Sequence, residues 1–263
     1  MGMYDILIKP LVRSMELDRA SRVSLKYFRL IGRLPLAHTI TRWLYGSRTT
    51  RLQKEVFGIQ FKHPVGLGAG LDIHGELYND LGNLGFSFVE IGPMNAESIR
   101  RALRNLNEHP KHNILAACIA ADYLTAFTLA YDFCDFFVVE LPDDLSIYPI
   151  DPLLEARIAE PVYRPIVLKI PKELTDNQLE TLVDYCMLNS VDGIESRDLA
   201  QLKHIVEYSE GRLPVIANNH IDTPEHAAEA LKAGASLVEV RTGLVHEGPG
   251  IVRKILKQLH QEQ

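Results

Sequence analysis

The run PIVLKI (165–170) puts a lysine, Lys169, inside an otherwise apolar stretch. An ammonium group removed from water there needs a carboxylate or a bound anion beside it. Two further apolar runs carry acids near their ends, Glu140 in FFVVEL (136–141) and Glu195 in VDGIES (191–196). If these runs lie side by side, Lys169 stands between two counter-charges. A pocket lysine can serve as a Schiff-base nucleophile, but that chemistry needs a depressed pKa, and two neighbouring carboxylates raise it. Glu140, Glu195 and His220 could instead form an oxygen-rich site for a divalent cation. No metal-ligand spacing accompanies them, so no metal is expected. An ion cluster that fills the pocket is the third reading, stable only if it is well hydrogen-bonded.

A second set of groups could hold a ligand rather than react with it. VGLGAGLDIHGE (65–76) has glycines at alternate positions, Gly66, Gly68 and Gly70, with Ala69 between the last two. Glycines at a strand end let a ligand approach the backbone, although they equally relieve crowding. The turn after them offers only Asp72 and His74 as reactive groups. PVIANN (214–219) ends in Asn218 and Asn219, followed by His220, and SLVEVRT (236–242) ends in Arg241 and Thr242 before Gly243. Arg241 can pair with a phosphate. Glu90 and Glu239 lie within their own runs and receive no catalytic role.

These groups need a frame. Short apolar or β-branched runs recur at 63–69, 86–92, 113–119, 136–141, 165–170, 191–196, 214–219 and 236–242, with helix-like segments between them. The clearest helix signal is DTPEHAAEALKAGA, with Thr223 as N-cap, Pro224 in the first turn and Gly234 beyond the end. Eight strands alternating with helices predict a (β/α)8 TIM barrel over residues 55–263, whose site lies at the carboxyl ends of the strands.

Residues 1–54 form a separate, basic segment. They carry eleven Lys or Arg against three acids, +8 in a chain of net charge −6, which leaves −14 for residues 55–263. Arg19, Arg22, Lys26, Arg29 and Arg33 recur at helical steps, and Gly32 suits a helix stop. With Trp43 and Tyr45 nearby, a small N-terminal helical domain is expected. Its surface suits an anionic bilayer, the alternative being that the helices pack on the barrel and show their basic face to water. The acidic remainder and the lack of a recognition motif argue against nucleic acid. No apolar run is long enough to span a membrane. Cys118, Cys134 and Cys186 are odd in number and set among apolar neighbours, so they read as core thiols in a reducing compartment. A cytoplasmic address follows, with peripheral contact at the inner membrane surface as its refinement.

In order along the chain, several segments resemble the class 2, quinone-type dihydroorotate dehydrogenase family. MYDILIKPLV with LDRASR resembles its membrane-facing helical domain. FGIQFKHPVGLGAGLDIHGE resembles its first strand, and LGFSFVEIGP its second. PIVLKIPKEL resembles the strand whose lysine contacts FMN, and AGASLVEVRTGLVHEGPGIVRKI the last strand and helix that help hold the FMN phosphate. The resemblance implies a flavoprotein oxidoreductase of pyrimidine biosynthesis. Its implied FMN contacts are Gly68, Ala69, Gly70, Lys169, Arg241, Thr242 and Gly243, with a small-molecule or phosphate ligand at the barrel mouth.

The same resemblance exposes departures. Ile73 stands where the family has a substrate-holding lysine. NAESIRRALRNLNEHPKH passes straight to the next strand without the family's Asn-rich loop. VVELPDDLSIYPID replaces the lid that carries the catalytic serine, so Glu140 takes an Asn position and Ser146 lies too far along to be the base. Glu195-Ser196-Arg197 replaces an Asn-Thr-Thr, and Asn218-Asn219 replaces a Gly-Gly. Loss of a general base removes about 10²–10⁴-fold in rate. Two added carboxylates repel an anionic substrate unless they are protonated or paired. The expectation is a non-catalytic descendant with weakened or lost FMN binding. The alternative is a flavin oxidoreductase of altered substrate.

Overall fold

The computed structural model describes residues 3–33, 36–46, 51–145, 150–218 and 220–261. The chain opens with helices α1 (Met3–Leu7), α2 (Lys9–Val12), α3 (Leu17–Gly32) and α4 (Ala37–Tyr45), followed by an antiparallel pair, β1 (Lys54–Val56) and β2 (Ile59–Phe61). Then come β3 (Val65–Leu67), α5 (Tyr78–Gly82), β4 (Phe88–Met94), α6 (Ala96–Glu108), β5 (Ile114–Ile119), α7 (Tyr123–Ala130), β6 (Phe136–Glu140) and α8 (Asp151–Ala159). The chain continues through β7 (Ile166–Lys169), α9 (Asp176–Leu188), β8 (Gly193–Ser196), α10 (Leu199–Tyr208), β9 (Val215–Ala217), α11 (Pro224–Lys232), β10 (Leu237–Val240), α12 (Thr242–Glu247) and α13 (Ile251–Gln261). Strands β3 to β10 close into one parallel barrel, with β10 beside β3. This is the (β/α)8 barrel that the eight apolar runs predict.

The local signals act as their chemistry requires. Thr223 accepts a hydrogen bond from the His226 amide at the start of α11, and Pro224 fills the first turn. Gly234 follows the helix at φ +107°, where a Cβ would also strike Val206. Gly32 behaves otherwise than expected. It is the last residue of α3, and it is small because the Asp80 carboxyl group of α5 lies where a Cβ would go.

Inside the barrel the period of two along each strand sets the layers. The amino-terminal layer is apolar: Phe88, Ala116, Phe136, Val138, Val167, Ile216 and Leu237 pack together, closed from below by Val56 and Phe61. Gly66 belongs to this layer, since a Cβ there would overlap the Phe88 ring. Further along the same barrel the inward positions become Glu90, Cys118, Glu140, Lys169, Glu195, Asn218 and Glu239. This polar layer is the floor of the mouth.

The N-terminal helices pack beside the end of the barrel where α12 lies. Tyr4 is 1% exposed, donates its hydroxyl hydrogen to the Val245 carbonyl and stacks on Phe28. Lys9 pairs with Glu247 at 3.0 Å. On α3, Ala20, Ser21, Ser24 and Phe28 are buried, while Arg19, Arg22, Lys26 and Arg29 face outward. Leu30 is also exposed, at 66%. No described helix is long and apolar enough to cross a membrane.

Candidate functional site

The carboxyl ends of the strands surround a cavity of about 740 Å³. Its floor includes Ala69, Gly70, Lys169, Asn218 and Glu239, and its rim includes Lys172, Arg197 and Arg241. Leu17, at the start of α3, reaches its edge. Asp72 and His74 take no part. The Asp72 carboxylate accepts hydrogen bonds from the Glu76 and Leu77 amides at 2.8 Å each, which holds the turn, and His74 is exposed. Ser146 and Asn219 lie outside the described residues.

Strand register aligns Glu140 with Lys169 and Lys169 with Glu195, the juxtaposition the sequence predicts. The pairing is nevertheless one-sided. Lys169 Nζ lies 3.1 Å from Glu195 Oε1, which also accepts a hydrogen bond from Asn218 at 2.7 Å. Glu140 makes no ion pair with Lys169. It turns toward Arg197, 3.8 Å away at the rim, where water still reaches both groups. Of the expected three-member ion cluster, Lys169 and Glu195 pair while Glu140 stands apart, and a further group of carboxylates lies beside them. One oxygen each of Glu90, Glu195 and Glu239 lie within 4.8 Å of one another, all three side chains being essentially fully buried. Glu140 and His220 are not members.

Burial and like charge dominate the electrostatics. Burial and then the Glu195 carboxylate push Glu90 up to about 7. Burial, followed by Glu195 and Glu90, pushes Glu239 well above the usual carboxylate range. For Lys169, burial favours the neutral amine, but Glu195 and then Glu90 outweigh it and the ammonium is held. That direction works against a nucleophilic lysine, which must lose its proton to attack.

The glycine floor is present but already covered. A Cβ on Gly68 would sit 2.8 Å from Glu239 Oε2, and one on Gly70 would sit 2.8 Å from the Arg241 guanidinium carbon. Gly70 adopts φ +104° and donates its amide hydrogen to the Gly92 carbonyl. The Ala69 amide donates to Glu90 at 3.4 Å. Thr242 opens the short α12 at the cavity wall. Gly243 is structural, because a Cβ would meet the Ile221 carbonyl at 2.7 Å.

Sequence reasoning gave Glu90 and Glu239 no role at the mouth. Their signal was an acid at the centre of an apolar run, VEI in one case and VEV in the other. What it lacked was the knowledge that β4, β8 and β10, none adjacent to another, point these residues at one place.

A closed parallel barrel with polar groups gathered at the carboxyl ends of its strands defines the class of (β/α)8 proteins whose ligands bind at the mouth. The family model described as dihydroorotate dehydrogenase matches residues 189–262. A quinone-type dihydroorotate dehydrogenase from Christiangramia forsetii is 25% identical, with 98% of each chain covered. One from Kineococcus radiotolerans is 26% identical over 97% of this chain and 94% of its own. Among solved structures, Eimeria tenella DHODH in complex with ferulenol superposes with a TM-score of 0.69 at 18% identity, covering 88% of this chain and 92% of that one. Over nearly its whole length the chain is similar to quinone-type dihydroorotate dehydrogenases. The first alignment extends over 336 positions against the 263 residues here, so the relative carries several tens of residues with no counterpart.

Proposed function

We propose that this protein is a dihydroorotate dehydrogenase-like barrel that does not oxidise dihydroorotate and has weak or no affinity for FMN. The observation that carries the reading is the covered floor. Glu239 and Arg241 fill the space over Gly68 and Gly70 where the family resemblance puts a flavin. The residues present therefore do not fit FMN on that floor without moving a buried carboxylate. The tens of residues missing relative to the dehydrogenases agree with a site that has lost its covering loops, and such a site does not exclude water.

The visible absorption spectrum of the purified protein tests this, followed by titration with FMN and an assay with dihydroorotate and a dye acceptor. The expected result is a colourless protein that takes up little FMN and gives no turnover. A flavin band at unit stoichiometry, with dye reduction, overturns the reading. One feature favours the second reading, a flavin oxidoreductase of altered substrate: the cavity is roomy, and Lys172, Arg197 and Arg241 give it a cationic rim suited to a phosphate. A flavin band without dihydroorotate turnover selects that one.

The N-terminal helices carry a separate proposal, contact with an anionic membrane surface. Met3, Ile6, Leu7, Leu11, Leu30 and Trp43 expose more than half of their surface beside the outward arginines. Apolar anchors mixed with basic groups favour the interface of an anionic bilayer. Sedimentation of the full chain with anionic vesicles should fall with added salt and with Leu7→Asp/Leu11→Asp. Equal binding to neutral vesicles, or none to either, refutes it.

A further inference from the structure

The floor of the mouth cavity carries more negative charge than its neighbours neutralise. Glu90, Glu195 and Glu239 come from three non-adjacent strands, and each is at most 1% exposed. Their six oxygens receive few donors. Lys169 and Asn218 both reach Oε1 of Glu195, and the Ala69 amide reaches Oε2 of Glu90. Oε1 of Glu90, Oε2 of Glu195 and both oxygens of Glu239 are buried and receive no N–H hydrogen bond from the described residues. Glu239 thus receives no N–H donor among the described residues, the carboxyl group of Glu90 being its neighbour within reach, and it fronts the cavity.

Three carboxylates and one ammonium leave a formal charge of −2 out of water, an arrangement that is not stable alone. Two added positive charges restore neutrality. They arrive either as two protons or as one divalent cation. The geometry suits the cation. Bonds of roughly 2.1–2.6 Å put oxygens across an ion about 4–5 Å apart, and the three ligand oxygens here lie within 4.8 Å of one another. The cavity supplies an entry path and room for water or an oxyanion on the open side. All three donors are carboxylate oxygens, which select hard ions over the softer metals that prefer sulfur or imidazole.

We propose that Glu90, Glu195 and Glu239 form a site for a hard divalent cation, of the Mg²⁺, Mn²⁺ or Ca²⁺ class, at the base of the mouth cavity. Lys169 balances the third carboxylate, and the ion's open positions face the cavity. This assignment does not depend on whether flavin binds.

The rival is a proton shared between Glu90 and Glu239, which lie within hydrogen-bonding reach of each other. The test is a Mn²⁺ titration of the chelator-treated full chain near neutral pH, followed by loss of the free-ion EPR signal, with Mg²⁺ and Ca²⁺ as competitors. The expected result is one Mn²⁺ per chain, displaced by one of the competitors. Glu239→Gln should weaken binding at least about tenfold, while the surface control Glu97→Gln leaves it unchanged. Circular dichroism of each variant separates lost binding from lost folding. Should Glu239→Gln fail to fold, Glu90→Gln replaces it, with the same expected loss. A folded protein that binds no Mn²⁺ at millimolar concentration, and whose infrared spectrum shows a carboxylic-acid carbonyl band, overturns the proposal. So does Mn²⁺ bound equally by wild type and Glu239→Gln. The FMN titration is read separately by absorbance, so failure of the metal site leaves the flavin question where it stood.

Discussion

The two ends of the barrel solve burial in opposite ways on the same eight strands. At the amino-terminal end Phe61, Phe88 and Phe136 meet edge to face at 5.5–6.2 Å, and no polar side chain interrupts them. Two residues along, Phe88 gives way to Glu90, Val167 to Lys169 and Leu237 to Glu239. The strand period puts both layers inside, so the difference lies entirely in residue type. An apolar layer stabilises through contact and excluded water, whatever its surroundings. A charged layer holds only if counter-ions, protons or a ligand complete it. One end is complete in itself, and the other carries charge that its own side chains only partly balance.

The sharpest way to break this contrast is Lys169→Met. Removing the one ammonium from the charged layer should cost about 4–5 kcal/mol in urea unfolding at neutral pH. The cost should shrink as acid protonates the carboxyls left behind. A cost below about 1 kcal/mol at neutral pH would mean that these charges are not buried together. Phe136→Ala, in the apolar layer, should cost about 3–4 kcal/mol through its cavity. That cost should hardly change with pH, so running both variants over the same pH series sharpens the comparison.

A third experiment probes a buried titratable group at the apolar end. His63 is fully buried below β3, its Nε2–H donating to the Gly85 carbonyl and its Nδ1 accepting from the Val65 amide. Burial lowers its pKa from 6.5 to about 4. Below pH 6.5 the unfolded chain takes up a proton that the folded chain refuses until pH 4. The contribution to stability is therefore whole above pH 6.5 and falls by about 3 kcal/mol on acidification to pH 4. In His63→Gln that part of the slope should vanish from the unfolding free energy. An unchanged slope refutes the neutral histidine. The smallest effect belongs to the surface. Arg101→Ala removes an exposed i,i+4 pair with Glu97 and should shift stability by less than about 0.5 kcal/mol.

Much of the frame was legible before any coordinates. Each of the eight apolar runs overlaps a barrel strand, and Thr223, Pro224 and Gly234 bound α11 as their chemistry dictates. The site was only partly legible. Lys169 beside Glu195 follows from neighbouring strands, because adjacent parallel strands carry their register locally. Glu140 did not follow, since its partner, Arg197, lies beyond the end of β8. Gly68 and Gly70 read as an open cradle, yet their cover comes from Glu239 and Arg241, far along the chain.

The sequence by itself determined the strand and helix order, the basic amino-terminal segment and the inward lysine. These are local properties, set by period, capping and residue type. Only the tertiary structure decided that Glu90, Glu195 and Glu239 converge and that the glycine floor is filled. Closure of the barrel fixes which inward positions of non-adjacent strands face one another. That geometry depends on the tilt and stagger of all eight strands together, which no single stretch of sequence encodes.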